Sequence, residues 1–71
     1  MEKLIYTIRW IINSKGLKQK AVAERMGITD KKLSEMLNGR KKIYFEDIQK
    51  FCSALNVTPN ELFGIEKKRV S

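Results

Sequence analysis

Asp30, Lys31, Ser34 and Glu35 sit at the first, second, fifth and sixth positions of one segment, a spacing that places all four on one face of a helix. The same segment carries Leu33, Met36 and Leu37 on its other side, the inward side of an amphipathic helix. Such a polar face suits hydrogen-bond recognition: lysine donates, aspartate and glutamate accept, and serine does either. Bond-making chemistry has little to work with. The chain has no histidine and a single cysteine, Cys52, and its carboxylates are scattered, so no metal site and no nucleophile–base pair takes shape. An enzyme is not expected, nor is a cofactor, a metal or a small-molecule substrate.

Around this face the charge is uneven. Between Lys15 and Lys42 there are nine Lys or Arg against three Asp or Glu, whereas the rest of the chain holds six against five. Nearly all of the formal +7 therefore lies in one central segment. A basic patch of this kind attracts a polyanion, either nucleic acid or an anionic membrane surface. Arg40, Lys41 and Lys42 follow the polar helix directly, with Asn38 and Lys32 beside them. Gln19 opens the preceding helix, where backbone and side-chain donors can meet an anion, helped by the helix dipole. Lys18, Lys20 and Arg9 are further outlying donors.

Seventy-one residues make at most one domain, and a chain this short buries only roughly 60% of its unfolded surface, so each element must add to one core. The lone cysteine excludes an internal disulfide framework and fits a reducing cytoplasm. Its neighbours Phe51 and Leu55 mark it as a core thiol. The longest apolar stretch, Leu4 to Ile12, is interrupted by Thr7 and Arg9 and falls well short of the roughly 20 residues of a membrane span. No small-residue cleavage site follows it. A cytoplasmic location is expected.

The elements that must position the polar face are punctuated by Gly16, Gly27, Gly39, Asn56 and Gly64, each closing an apolar-periodic stretch where a left-handed residue would stop a helix. Five stops predict five helices and an all-α domain. Helix 1 is predicted over about 2–15, burying Leu4, Ile8 and Ile11, with Ile5 and Ile12 widening the stripe. Helix 2 spans about 19–26 with Val22, Ala23 and Met26 inward, and helix 3 about 30–38 behind the N-cap Thr29. Helix 4 covers about 45–55 through Ile48, Phe51, Cys52 and Leu55. A short helix 5 begins at Thr58-Pro59-Asn60-Glu61, which joins an N-cap threonine, a proline at the first position and a capping-box glutamate. Residues 1–64 form the expected domain and 65–71 a short basic tail.

Only Gly27, Ile28 and Thr29 separate helices 2 and 3. So short a link turns the chain sharply, and the small Ala23 allows the close crossing that results, with Ile28 plugging the core. Together these features specify a helix-turn-helix.

The stretch from Gln19 to Asn38, QKAVAERMGITDKKLSEMLN, resembles the helix-turn-helix of the phage repressor and Cro type (XRE-like) family of bacterial and phage regulators. Leu17, the run Asn38-Gly39-Arg40, the segment ALNVTPNELFG from Ala54 to Gly64 and the helix count extend the resemblance to about 60 of the 71 residues. The resemblance implies a compact five-helix lambda-repressor-like domain in which helix 3 enters the major groove of double-stranded DNA and helix 2 lies across the backbone. It assigns base contacts to Asp30, Lys31, Ser34 and Glu35. Lysine would serve guanine O6 or N7, and a carboxylate would serve cytosine N4. Phosphate contacts fall to Gln19, Lys32, Asn38, Arg40, Lys41 and Lys42. The implied role is a transcriptional repressor or genetic switch that binds a two-fold operator as a weak or DNA-induced homodimer. Because the chain ends just after helix 5, dimerisation near that helix and the loop before it is expected.

Three departures from the family pattern stand out. Lys18 replaces the usual serine cap of helix 2, and Tyr44 replaces a small cap before helix 4. Ile12 and Leu37 occupy the places where some phage relatives bridge helices 1 and 3 with a buried Arg–Glu pair, so an apolar contact is expected there. Tyr6 and Trp10, one turn apart outside the main stripe of helix 1, are expected to pack on helix 5 or the tail. Two rivals remain: a protein-binding module on the same fold, such as an antitoxin-type regulator, and a peripheral membrane binder. The second is disfavoured because the charge lies away from helix 1.

Overall fold

The residues expected to end helices do so in the computed structural model, which describes residues 2–64. The helices are α1 (Glu2–Ser14), α2 (Gln19–Met26), α3 (Asp30–Leu37), α4 (Phe45–Leu55) and α5 (Pro59–Phe63). The expected basic tail, 65–71, lies outside the described residues. Gly27 ends α2 with φ 76°, and Asn56 ends α4 with φ 59°, a left-handed conformation that an asparagine tolerates because its side chain is short and polar. At both exits the chain folds back on itself. Ile28 N–H donates to the Ala23 carbonyl at 3.0 Å, and Val57 N–H to the Cys52 carbonyl at 3.0 Å. Leu17 repeats this behind α1 through the Ile12 carbonyl. The three residues so returned, Leu17, Ile28 and Val57, pack half-buried against the core.

The starts of the helices are fixed by different means. Thr29 Oγ1 accepts from Lys32 N–H at 3.0 Å. Thr58 and Glu61 make the reciprocal box, at 3.1 and 2.8 Å. Lys18 supplies no side-chain cap to α2, as its type implies. At the start of α4, where Tyr44 takes the place of a small cap, the buried Asp47 carboxylate reaches back and accepts the Tyr44 N–H at 2.8 Å, as the N3 residue of a capping box does. A carboxylate in the first turn also meets the positive end of the helix dipole.

α2 packs against α3 and α4, α1 against α3 and α5, and α4 against α5. Ile8, Val22, Leu33, Met36, Phe51, Leu55 and Leu62 are sealed from solvent at the centre. At roughly 1.5–3 kcal/mol per large side chain, these dominate the stability. Two arginines tie the ends of helices to the neighbouring layer. Arg9 Nη1 donates to the Leu37 carbonyl at 3.3 Å, and Arg25 Nη1 donates to the Ala54 carbonyl at 3.1 Å. Each satisfies a carbonyl at a helix C-terminus that has no partner within its own helix. Ile12 and Leu37 are both buried and line one cleft with Arg9, the apolar arrangement expected in place of an ion pair.

Some expectations shift. Ile28 is half-buried, because the α2 exit presents it at the edge of the core. Cys52 is also half-buried, and burial followed by the nearby Glu61 charge pushes its thiol pKa up, away from thiolate chemistry. Ile43 and Leu62, absent from the expected core, are buried. Tyr6 is 69% and Trp10 51% exposed, so neither is fully covered, and the tail, one of the two expected covers, lies outside the described residues.

Candidate nucleic-acid interface

α3 joins core packing on one side to polar groups on the other. Its apolar side is fully committed, with Leu33 and Met36 sealed and Leu37 buried. The eight-residue helix therefore cannot rotate about its axis without exposing that side. This fixes the opposite face outward, with Asp30 and Lys31 exposed and Ser34 and Glu35 half-buried along it. All four expected base readers thus share one face, ordered from the N-terminus of the helix inward. Carboxylate, ammonium, hydroxyl and carboxylate groups, in that order, offer both donors and acceptors.

Past α3 the chain wraps the helix end. Arg40 N–H and Lys41 N–H both donate to the Glu35 carbonyl, at 2.9 and 3.2 Å, and Gly39 N–H donates to the Met36 carbonyl at 3.2 Å. These bonds hold the backbone of the basic run against the base of the polar face, and the buried Ile43 anchors its far end. The side chains of Arg40, Lys41 and Lys42 project into solvent, as do those of Asn38 and Lys32. Lysine and arginine at the C-terminal end of a helix are also favoured by its dipole.

Gln19 sits half-buried at the first position of α2, where the uncapped first turn leaves backbone N–H groups facing outward. Its side chain is placed in a way the sequence did not announce. Gln19 Nε2 donates to Asp30 Oδ1 at 3.2 Å, joining the first residue of α2 to the first residue of α3. The two are eleven residues apart, and no periodicity within either helix would pair them. The available signal was the three-residue link, which brings one helix N-terminus across the other. Arg9, an outlying donor by sequence, is in part structural, since one guanidinium nitrogen is held on the Leu37 carbonyl.

Among the described residues no three His, Cys, Asp or Glu side chains gather to hold a metal ion. No described helix is long and apolar enough to cross a membrane. A model of the Cro/C1-type HTH DNA-binding domain matches residues 7–68, a span that holds all five expected phosphate donors after α2, the four polar residues of α3 and Gln19. No curated protein and no solved structure matches the chain.

Proposed function

The chain belongs to the Cro/C1-type helix-turn-helix DNA-binding domains, and from that premise we propose that it regulates transcription by placing α3 in the major groove of a specific operator. The observation that carries this reading is the outward face of α3, polar along its length and backed by sealed Leu33 and Met36. Asp30, Lys31, Ser34 and Glu35 meet base edges there. Lys32, Arg40, Lys41 and Lys42 neutralise phosphates on either side, Gln19 and Asn38 donate hydrogen bonds to them, and together these contacts set the register. The protein acts as a repressor or a phage or mobile-element switch in the cytoplasm, binding as a homodimer that DNA stabilises. Two half-sites then lie about one helical turn apart, roughly 34 Å. Residues 1–64 form the binding unit, and the basic tail 65–71 adds sequence-independent attraction to the backbone. Selection from a random duplex pool tests this directly: a two-fold motif is expected, and a pool that stays random would refute it.

One observation favours a second reading. Tyr44 and Phe45 at the start of α4 and Phe63 at the end of α5 are exposed, as are Tyr6 and Trp10 on α1. That is more aromatic surface than one small dimer patch needs, and it suits a protein-binding role on the same fold, of the antitoxin type. Light scattering of the purified chain with and without operator DNA separates the two: DNA-dependent dimers fit the first, and a DNA-independent monomer that enriches no motif fits the second.

A further inference from the structure

Of the five exposed aromatic side chains among the described residues, Tyr44 and Phe45 directly follow the basic run, whereas Tyr6 and Trp10 lie on α1 and Phe63 on α5. Burial alternates along Lys42, Ile43 and Tyr44: exposed, buried, exposed. Extended backbone behaves this way, because its successive side chains point to opposite sides. Tyr44 itself is extended, at φ −93° and ψ 171°. With Ile43 turned into the core, Lys42 and Tyr44 project outward on the same side, their α-carbons within about 7 Å of each other. The backbone that carries them is held at both ends. Arg40 and Lys41 N–H groups sit on the Glu35 carbonyl, at the base of the polar face, and the Tyr44 N–H sits on the Asp47 carboxylate at 2.8 Å. The ring therefore leaves a fixed point and is 59% exposed. Folding does not call for it there, since a small polar residue caps a helix better at this position and most of the ring surface faces water.

We infer that Tyr44 contacts the DNA backbone, its phenol hydroxyl donating to a phosphate oxygen beside the phosphate that Lys42 neutralises. This rests on the reading above, in which the basic run lies along a DNA strand. Tyrosine is among the side chains that hydrogen-bond phosphate, and its hydroxyl ends a rigid ring with only two torsions to order. Phe45, the next residue, is 76% exposed but has no polar side-chain atom to offer. The contact differs in kind from those of Arg40, Lys41 and Lys42. A cation that neutralises a phosphate releases condensed counterions, so its contribution fades as salt rises. An uncharged hydroxyl releases none. Tyr44 therefore contributes the same factor at low and at high salt, and its share of the affinity grows as the lysine contacts weaken. It favours no base, because phosphates carry no sequence information.

The test is fluorescence anisotropy over a range of salt concentrations, with an operator taken from binding-site selection and with a duplex of unrelated sequence. The proteins are the wild type, Tyr44→Phe and Lys42→Ala, each first shown by its melting curve to be folded. Tyr44→Phe removes one oxygen atom and keeps the ring. It should weaken binding to both duplexes about five-fold, the worth of one hydrogen bond, and by the same factor at every salt concentration. The slope of log affinity against log salt should then match the wild type. Lys42→Ala should instead reduce that slope by about one. Wild-type affinity of Tyr44→Phe for both duplexes would overturn the contact. A loss confined to the operator would overturn the backbone role and make Tyr44 a base reader. A wild type that binds neither duplex would remove the DNA reading on which the inference stands.

Discussion

Replacing Asp47 with alanine should destabilise the domain well beyond what a surface carboxylate would cost. Asp47 is the only buried charged side chain among the described residues, and it accepts the Tyr44 N–H at 2.8 Å. Asp47, at the third position of α4, accepts this amide as the N3 residue of a capping box does. Loss of a helix cap costs about 0.5–2 kcal/mol. The stranded, partly buried N–H adds to this, since an unsatisfied buried donor costs about 1–3 kcal/mol. The two overlap, because they describe one amide, and a total of about 2 kcal/mol follows. In a domain of this size that lowers the melting temperature by roughly 8–16 °C. Asp47→Asn keeps an acceptor and gives up only the charge at the helix N-terminus, about 0.3–1 kcal/mol. Circular dichroism melts of the three proteins should therefore rank wild type, Asp47→Asn and Asp47→Ala in that order. The larger step should fall between the last two. Equal melting temperatures for Asp47→Ala and the wild type would mean that the Tyr44 N–H finds another partner and that α4 starts without this cap.

Three further outcomes follow from the packing and the charge. Ala23, 1% exposed on α2, leaves no room for a larger side chain, so Ala23→Leu should cost about 1–3 kcal/mol in urea unfolding, and an unchanged midpoint would place Ala23 away from the helix crossing. Arg9→Ala should lose the bond to the Leu37 carbonyl, about 1 kcal/mol by the same measurement, and wild-type stability would show the contact to be idle. Arg40→Ala should weaken binding about equally for all DNA sequences and reduce the slope of log affinity against log salt by about one, whereas a loss confined to one base pair would make Arg40 a base reader.

The helices were legible because the punctuation is local. Gly27, Asn56, Thr29 and the Thr58–Glu61 box each act within a few residues, and all of them sit where their types require. The polar face of α3 was legible for the same reason, since Leu33, Met36 and Leu37 leave one orientation open. What periodicity could not give is contact across elements. Arg9 on Leu37, Arg25 on Ala54 and Gln19 on Asp30 join residues 28, 29 and 11 apart. Asp47 was missed because its bond runs from the backbone of a tyrosine, a residue type that carries no capping signal. Ile43 lies in the loop after α3, outside any helical stripe, and only the fold shows it buried.

The proposed recognition of DNA depends on the outward face of α3. Lys31 and Glu35 lie one turn apart on it, and a surface ion pair at that spacing would be worth under about 1 kcal/mol, less than the roughly 1–3 kcal/mol of discrimination a good base contact supplies. The direct measurement is the base profile selected by wild type, Lys31→Ala and Glu35→Ala from one random duplex pool, together with affinity for non-specific DNA. Lys31→Ala should relax a single G·C pair per half-site while non-specific affinity falls only modestly. Glu35→Ala should raise non-specific binding and lower the specificity ratio, because its charge repels the backbone at wrong sites. Three indistinguishable profiles would contradict the account and leave α3 a structural helix.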